Sequence, residues 1–206
     1  LLPIKKEDKV KEVLYISHAH LDMNWMWGFD ETVAITLSTF RTTLDLMKQY
    51  DFTFGQSQAS CYKIVEDYDP EMLEEIKQRV KEGRWEITAS AWVESDMNMP
   101  LPETHIRQIL YAKKYLCRLF DLKPEDLQLS FLPDTFGHNG LMPEIYAKGG
   151  IKWLYHCRGD KEEFIYKWKA QSGAEVLTYR EPCWYNSGII VSDLREQIRF
   201  APSFAK

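Results

Sequence analysis

In "HAHLDMNWMW" two histidines and an aspartate, His18, His20 and Asp22, stand at alternate positions, with Trp25 three residues further on. On an extended segment alternate side chains point the same way, so these three are expected to face one cavity. A neutral imidazole with two or three carboxylates is a mixed nitrogen and oxygen set suited to zinc or a similar divalent ion, and it leaves a position open for substrate. More polar chemistry follows: Glu94 and Asp96 in "AWVESDMNMP", Asp134 and His138 in "FLPDTFGHNG", and Arg158 after "KWLYH". By itself H-x-H-x-D is equally the pattern of satisfied core or rim histidines. The second cluster, "LPDTFGH", is what raises it to a candidate site.

The elements that must position these residues alternate. "VLYIS" (Val13 to Ser17) is a compact apolar, β-rich run, the signature of a strand covered on both faces in a parallel sheet. A helix is expected from about Glu31 to Gln49, with Val33, Leu37, Phe40, Leu44 and Met47 as one apolar stripe. "FTFGQS" reads as the second strand. In "DPEMLEEIKQRVKEG" Asp69 can cap a helix, Pro70 suits its first position, and Gly83 can stop it. "WEITAS" is the third strand, and Pro102 to Leu119 its helix, with Ile106, Ile109, Leu110 and Leu116 expected to turn inward. "LQLSFL" and "KWLYH" are strands four and five, with a short helix near Pro143 between them. "FIYKWKAQSGAEVLTYR" then reads as a hairpin turning at Gln171-Ser172-Gly173. Strands separated by helices imply right-handed crossovers and a parallel sheet or barrel. Every polar cluster lies just past the C-terminal end of a strand, the rim where such folds hold their sites.

Composition narrows the rest. A chain of 206 residues, 45% hydrophobic and 28% charged, has the balance of a globular domain, and its net charge of -5 carries no basic stripe for nucleic acid. No apolar run reaches the roughly 20 residues of a membrane-spanning helix. The start "LLPIKKEDKV" is too charged for a signal peptide, so a cytoplasmic protein is expected. It begins at Leu1 and not at Met, which fits a trimmed piece. Four cysteines without a C-x-x-C signal neither a zinc knuckle nor a redox pair.

Together "HAHLDMNWMW", "AWVESDMNMP", "FLPDTFGHNGLMPEI" and "FIYKWKAQSGAEVLTY" resemble the catalytic domain of family 38 glycoside hydrolases, the retaining α-mannosidases, the cytosolic type above all. The resemblance runs from about Val13 to Tyr179. It implies an α/β fold, a parallel β/α barrel of the seven-stranded type shared by glycoside hydrolases and deacetylases, of which residues 1–206 would be the N-terminal part of a single domain. It further implies hydrolysis of terminal α-linked mannose from oligosaccharides, with zinc, or cobalt or another divalent ion, held by His20, Asp22 and Asp134. Asp134 would also be the nucleophile, and Trp25, Asp96 and Arg158 would contact the substrate. His18 matches a family histidine that is not a ligand. The family's fourth ligand and its general acid are expected beyond Lys206, so little activity and weak metal binding are expected of these residues alone.

Each role has a structural counterpart. Asp134 can cap a turn, Trp25 and Trp27 can anchor a core, and Arg158 can pair with Asp160 or Glu162 in its own loop. His138 and His156 read better as packing or supporting residues than as ligands. A metal-dependent carbohydrate deacetylase and a non-catalytic sugar-binding fragment are the alternatives, although the deacetylase's paired aspartates and H-x-x-x-H signature are missing. A mannose-containing oligosaccharide is the expected partner, nucleic acid and membrane are not, and a homo-oligomer is left open.

Overall fold

A computed structural model describes residues 16–159, 163–181 and 185. The first strand, β1 (Ser17–His18), is followed by helix α1 (Phe29–Met47), β2 (Phe54–Gln58), α2 (Ala59–Tyr68), α3 (Pro70–Lys81), β3 (Trp85–Ala91) and α4 (Pro102–Phe120). A short 3-10 turn (Pro124–Asp126) leads to β4 (Leu129–Leu132), α5 (Met142–Lys148), β5 (Trp153–His156), β6 (Ile165–Lys169) and β7 (Glu175–Arg180). Most of the run expected as the first strand, residues 13–15, lies outside the described residues.

The strands form two sheets, ordered β1-β2-β3 and β4-β5-β7-β6, with β3 and β4 side by side across the break. All pairings are parallel except that of β6 with β7; helices return the chain between β1, β2 and β3 and between β4 and β5, as parallel neighbours require, while β6 makes the return between β5 and β7. The expected hairpin is present and turns at Gly173, whose φ is 89°. Its second arm does more than pair with the first. β7 extends the parallel sheet beside β5, in the register Trp153 with Leu177, and leaves β6 as the edge.

Local chemistry explains the helix bounds. Asp69 accepts a hydrogen bond from the Met72 N–H at 2.9 Å, satisfying one of the unpaired donors at the start of α3. At its end Gly83, at φ 71°, lets the Arg84 N–H reach the Arg79 carbonyl while the Gly83 N–H reaches Val80. Phe40, Leu44 and Met47 of α1 and Met72 and Ile76 of α3 are buried as their spacing requires, against Phe54, Tyr62 and Trp85. The indole N–H of Trp85 donates to the Tyr62 hydroxyl at 3.0 Å, which keeps that polar edge satisfied in the core.

The expectation for α4 is corrected. Ile109 and Leu116 are buried, but Ile106 and Leu110 are exposed. The buried line is His105, Ile109, Ala112 and Leu116, at steps of four, three and four. Ile106 and Leu110 each follow a buried residue, His105 and Ile109, by one position, about 100° around the helix, so they fall off that stripe. Ile109 instead joins a second core with Met97, Leu132, Met142, Tyr146 and Leu154.

Candidate functional site

The residues beyond β1, β3, β4 and β5 converge. His20 Nε2 lies 3.3 Å from Asp22 Oδ1 and 3.8 Å from Asp134 Oδ2, while its Nδ1 lies 3.1 Å from Glu94 Oε2. One candidate ligand atom from each of His20, Asp22 and Asp134 falls within 4.8 Å of the others. They line a cavity of about 430 Å³ with Asn24, Glu94 and Asp96. A larger groove of about 560 Å³ runs along α4 past Trp92, Tyr111 and Tyr115, but no carboxylate or imidazole lines it. Volume alone does not mark the chemistry.

Polar residues on β2 build the loop that carries His20 and Asp22. Gln56, Ser57 and Gln58 are buried in the sheet, where an apolar run is the norm for a parallel strand. Gln56 Nε2 donates to the Ala19 carbonyl at 3.2 Å and Gln58 Nε2 to that of Leu21 at 2.6 Å. Gln58 Oε1 accepts from the Glu94 N–H at 2.9 Å, joining the loops after β1 and β3. Glu94 Oε1 accepts from the Asp134 N–H at 2.7 Å and from the Thr135 hydroxyl at 3.0 Å, which ties in the loop after β4. One buried carboxylate therefore spans His20 and the backbone of Asp134. Of the two acids that the sequence offers after β3, Asp96 was favoured over Glu94; the available signal was that Glu94 comes first, three residues past the end of the strand.

Arg158 donates from Nε at 2.7 Å and from Nη2 at 2.5 Å to Asp134 Oδ1, and its guanidinium lies 3.8 Å over the Phe136 ring. Arg158 therefore makes a contact across two strand ends; the local alternative falls on Asp160 and Glu162, which lie outside the described residues. Asp134 Oδ2 is left facing His20.

Other expected residues are placed differently. His18 does not share the cavity with His20 and Asp22. It contacts the Ser57 hydroxyl at 3.2 Å and packs on Phe131 with ring centres 4.5 Å apart. The chain leaves β1 after two residues, so strand alternation cannot carry through to Asp22. Burial, helped by the nearby His20, lowers the His18 pKa to about 4, so the ring is neutral. Trp25 is 63% exposed and meets Trp27 edge to face at 5.5 Å, outside the cavity lining. Trp27 is the anchor, its N–H donating to the Thr32 hydroxyl. Asp96 lines the cavity, but its Oδ1 accepts from the Asn98 and Met99 N–H groups and holds a turn. Those amides keep its carboxyl below the usual range.

The donor set fits a divalent cation. With Glu94 Oε2 at 3.1 Å from Nδ1, the neutral His20 tautomer that points its proton at that carboxylate turns the Nε2 lone pair toward Asp22 and Asp134. Three acceptors then face one another, and buried Nε2 has no hydrogen-bond partner. The proton's behaviour without a cation agrees. Burial opposes the imidazolium, yet the Glu94 contact and the charges of Glu94, Asp22 and Asp134 raise the His20 pKa.

Gly137, three residues past Asp134, has φ 77°, and a Cβ there would stand 2.5 Å from the Asn98 amide nitrogen. We expect Gly137→Ala to cost about 1–2 kcal/mol in backbone strain and to push Asn98 aside. Denaturant unfolding checks the first effect, and an unchanged midpoint would refute it.

Comparison with known proteins gives a consistent pattern. The family model described as the glycosyl hydrolases family 38 N-terminal domain matches residues 11–200. The alpha-mannosidase G of Dictyostelium discoideum is 33% identical over 189 residues, covering 87% of this chain and 17% of that protein. The human alpha-mannosidase 2C1 is 28% identical over 172 residues, covering 80% of this chain and 16% of its own length. Among solved structures, an alpha-mannosidase from Enterococcus faecalis V583 superposes with a TM-score of 0.80 at 20% identity, over 93% of this chain and 23% of that one. The chain thus spans about a sixth of the length of these two sequence relatives.

Proposed function

This chain belongs to glycoside hydrolase family 38, and from that premise we propose that residues 1–206 are the N-terminal part of one metal-dependent catalytic domain that removes terminal α-linked mannose from oligosaccharides with retention. The observation that carries this reading is the convergence of His20, Asp22 and Asp134 from separate strand ends onto one point, with Arg158 clamped on the third. His20 Nε2, Asp22 and Asp134 are the ligands we assign, with zinc as the ion and cobalt its nearest substitute. When bound, the ion supplies Lewis acidity toward sugar hydroxyls and offsets the carboxylate charge.

The chain's own residues then divide the work. Arg158 holds Asp134 Oδ1, so only the second oxygen of the carboxylate faces the cavity, oriented for attack on an anomeric carbon. The exposed Trp25, next in sequence to the cavity-lining Asn24, offers an apolar face to a pyranose, and Asp96 offers a carboxylate to its hydroxyls. Glu94 cannot serve as the acid, because Oε1 accepts two hydrogen bonds and Oε2 faces His20. A retaining mechanism wants its acid roughly 5 to 5.5 Å from the nucleophile, and we assign that group to polypeptide beyond residues 1–206. Among the described residues no helix is long and apolar enough to cross a membrane. We place the enzyme in the cytoplasm, acting on mannose-containing oligosaccharides, without nucleic-acid or membrane partners and with self-association open.

The test uses the full-length protein with an aryl α-mannoside. Chelation is expected to abolish hydrolysis, and zinc or cobalt to restore it with the anomeric configuration retained. Acetate release from N-acetylated glycans in place of mannose release would establish the deacetylase, and mannose binding without turnover would establish a binding module. The 206-residue chain alone is expected to bind one zinc by calorimetry and to hydrolyse little.

A further inference from the structure

We propose that His138 and His156 form a paired positioning device, two neutral imidazoles in opposite tautomers that fix the backbone of Arg158 and so aim its guanidinium at Asp134. The Arg158 carbonyl receives His138 Nε2 at 3.1 Å and His156 Nδ1 at 2.8 Å. A carbonyl oxygen only accepts, so each of those nitrogens carries a proton, and both lone pairs of the oxygen are used. Burial lowers both imidazole pKa values, that of His156 to about 4, so each ring has a single N–H at neutral pH.

The tautomers follow. His138 is protonated at Nε2, leaving a lone pair on its buried, unpartnered Nδ1. His156 is protonated at Nδ1, and its Nε2 accepts from the Tyr166 hydroxyl at 2.7 Å, a partner delivered by β6. The rings meet edge to face with centres 4.5 Å apart, and Trp168 closes the far side of His138. Gly159, at φ 110°, turns the chain immediately after the clamped carbonyl. Arg158 is thus held at both ends, by two imidazoles on its backbone and by Asp134 and Phe136 on its side chain.

The catalytic consequence rests on Asp134 having the role assigned above; the pairing itself does not. In the full chain labelled at histidine and arginine, long-range proton–nitrogen spectra should show His156 protonated at Nδ1 and His138 at Nε2. Either ring in the other tautomer overturns the pairing. A slowly exchanging Arg158 Nε–H signal, protected by Asp134, should persist in His138→Gln and His156→Asn, whose amide nitrogens fall near the donor positions. It should vanish in His138→Asn and His156→Gln, whose amides are equally polar but misplaced. Persistence in all four overturns the positioning role.

In the full-length enzyme the misplaced pair should lower kcat on the order of 10- to 100-fold with KM nearly unchanged, and the matched pair should restore it. Normal kcat in the misplaced variants also overturns it. An inactive wild-type enzyme would instead sink the role of Asp134, while the tautomers and the arginine signal still report on the pairing.

Discussion

Asp134→Asn is expected to lower α-mannoside hydrolysis on the order of 10⁴-fold or more, and no concentration of zinc should bring it back. The size follows from the two duties proposed for this carboxylate, ligand and nucleophile. Its Oδ2 faces His20 among the candidate ligand atoms, and its Oδ1 accepts both Arg158 donors. An amide can still present one oxygen, but it brings no charge, cannot form a glycosyl ester, and sets an NH₂ group against either Arg158 or His20. Asp22→Asn separates the duties. It removes a ligand and leaves Asp134 with its arginine, so activity should fall at low zinc and return substantially at saturation. Recovery of Asp134→Asn at high zinc would reduce Asp134 to a ligand and move the nucleophile elsewhere. Calorimetry on each variant supplies the metal affinities that this comparison needs.

The contrast between these residues and their supports shows what a linear chain reveals. That the loops of His20, Asp22 and Asp134 would meet was legible because each follows a β-rich run, where chain direction predicts convergence, but only the family resemblance set these three apart from His18 and Glu94. The stripes of α1 and α3 and the 165–180 hairpin were legible for a similar reason, since period and turn chemistry are local signals. Partners set by tertiary packing were not. Arg158 has acids close by in sequence, yet it also reaches a carboxylate on another strand end, 24 residues back. Gln56 and Gln58 look like solvent-facing residues, but β2 is buried throughout and their amides replace backbone partners for an irregular loop. On α4 the apolar residues outnumber the positions that one buried stripe can hold, so composition could not say that Ile109 goes in while Ile106 and Leu110 stay out.

Glu94 is the residue on which that hidden layer depends most, and its two substitutions should fail differently. Its side chain is only 7% exposed. In Glu94→Ala the half-buried Asp134 N–H loses its acceptor and the Thr135 hydroxyl keeps only the Ser95 carbonyl at 3.5 Å, and a donor left unsatisfied away from water costs about 1–3 kcal/mol before the cavity is counted. Thermal unfolding should therefore show a clear loss, and the Asp134 loop should exchange its amides faster. Glu94→Gln preserves volume and one acceptor, so stability should change far less. Whichever way its amide turns, however, one side is wrong. With the oxygen toward Asp134 and Thr135, the NH₂ meets His20 Nδ1 and forces the proton to Nε2, where it points at Asp22 and Asp134. With the oxygen toward His20, the NH₂ confronts the Asp134 N–H. The first arrangement keeps two hydrogen bonds and should prevail. Zinc affinity should then fall by about 10- to 100-fold, the range for losing a partner that sets a ligand histidine's tautomer. A stable Glu94→Gln protein with undiminished zinc affinity would show that Glu94 holds the loops together without orienting His20. A matched loss of affinity and gain of an Nε2–H resonance on His20 would show that the tautomer is the route.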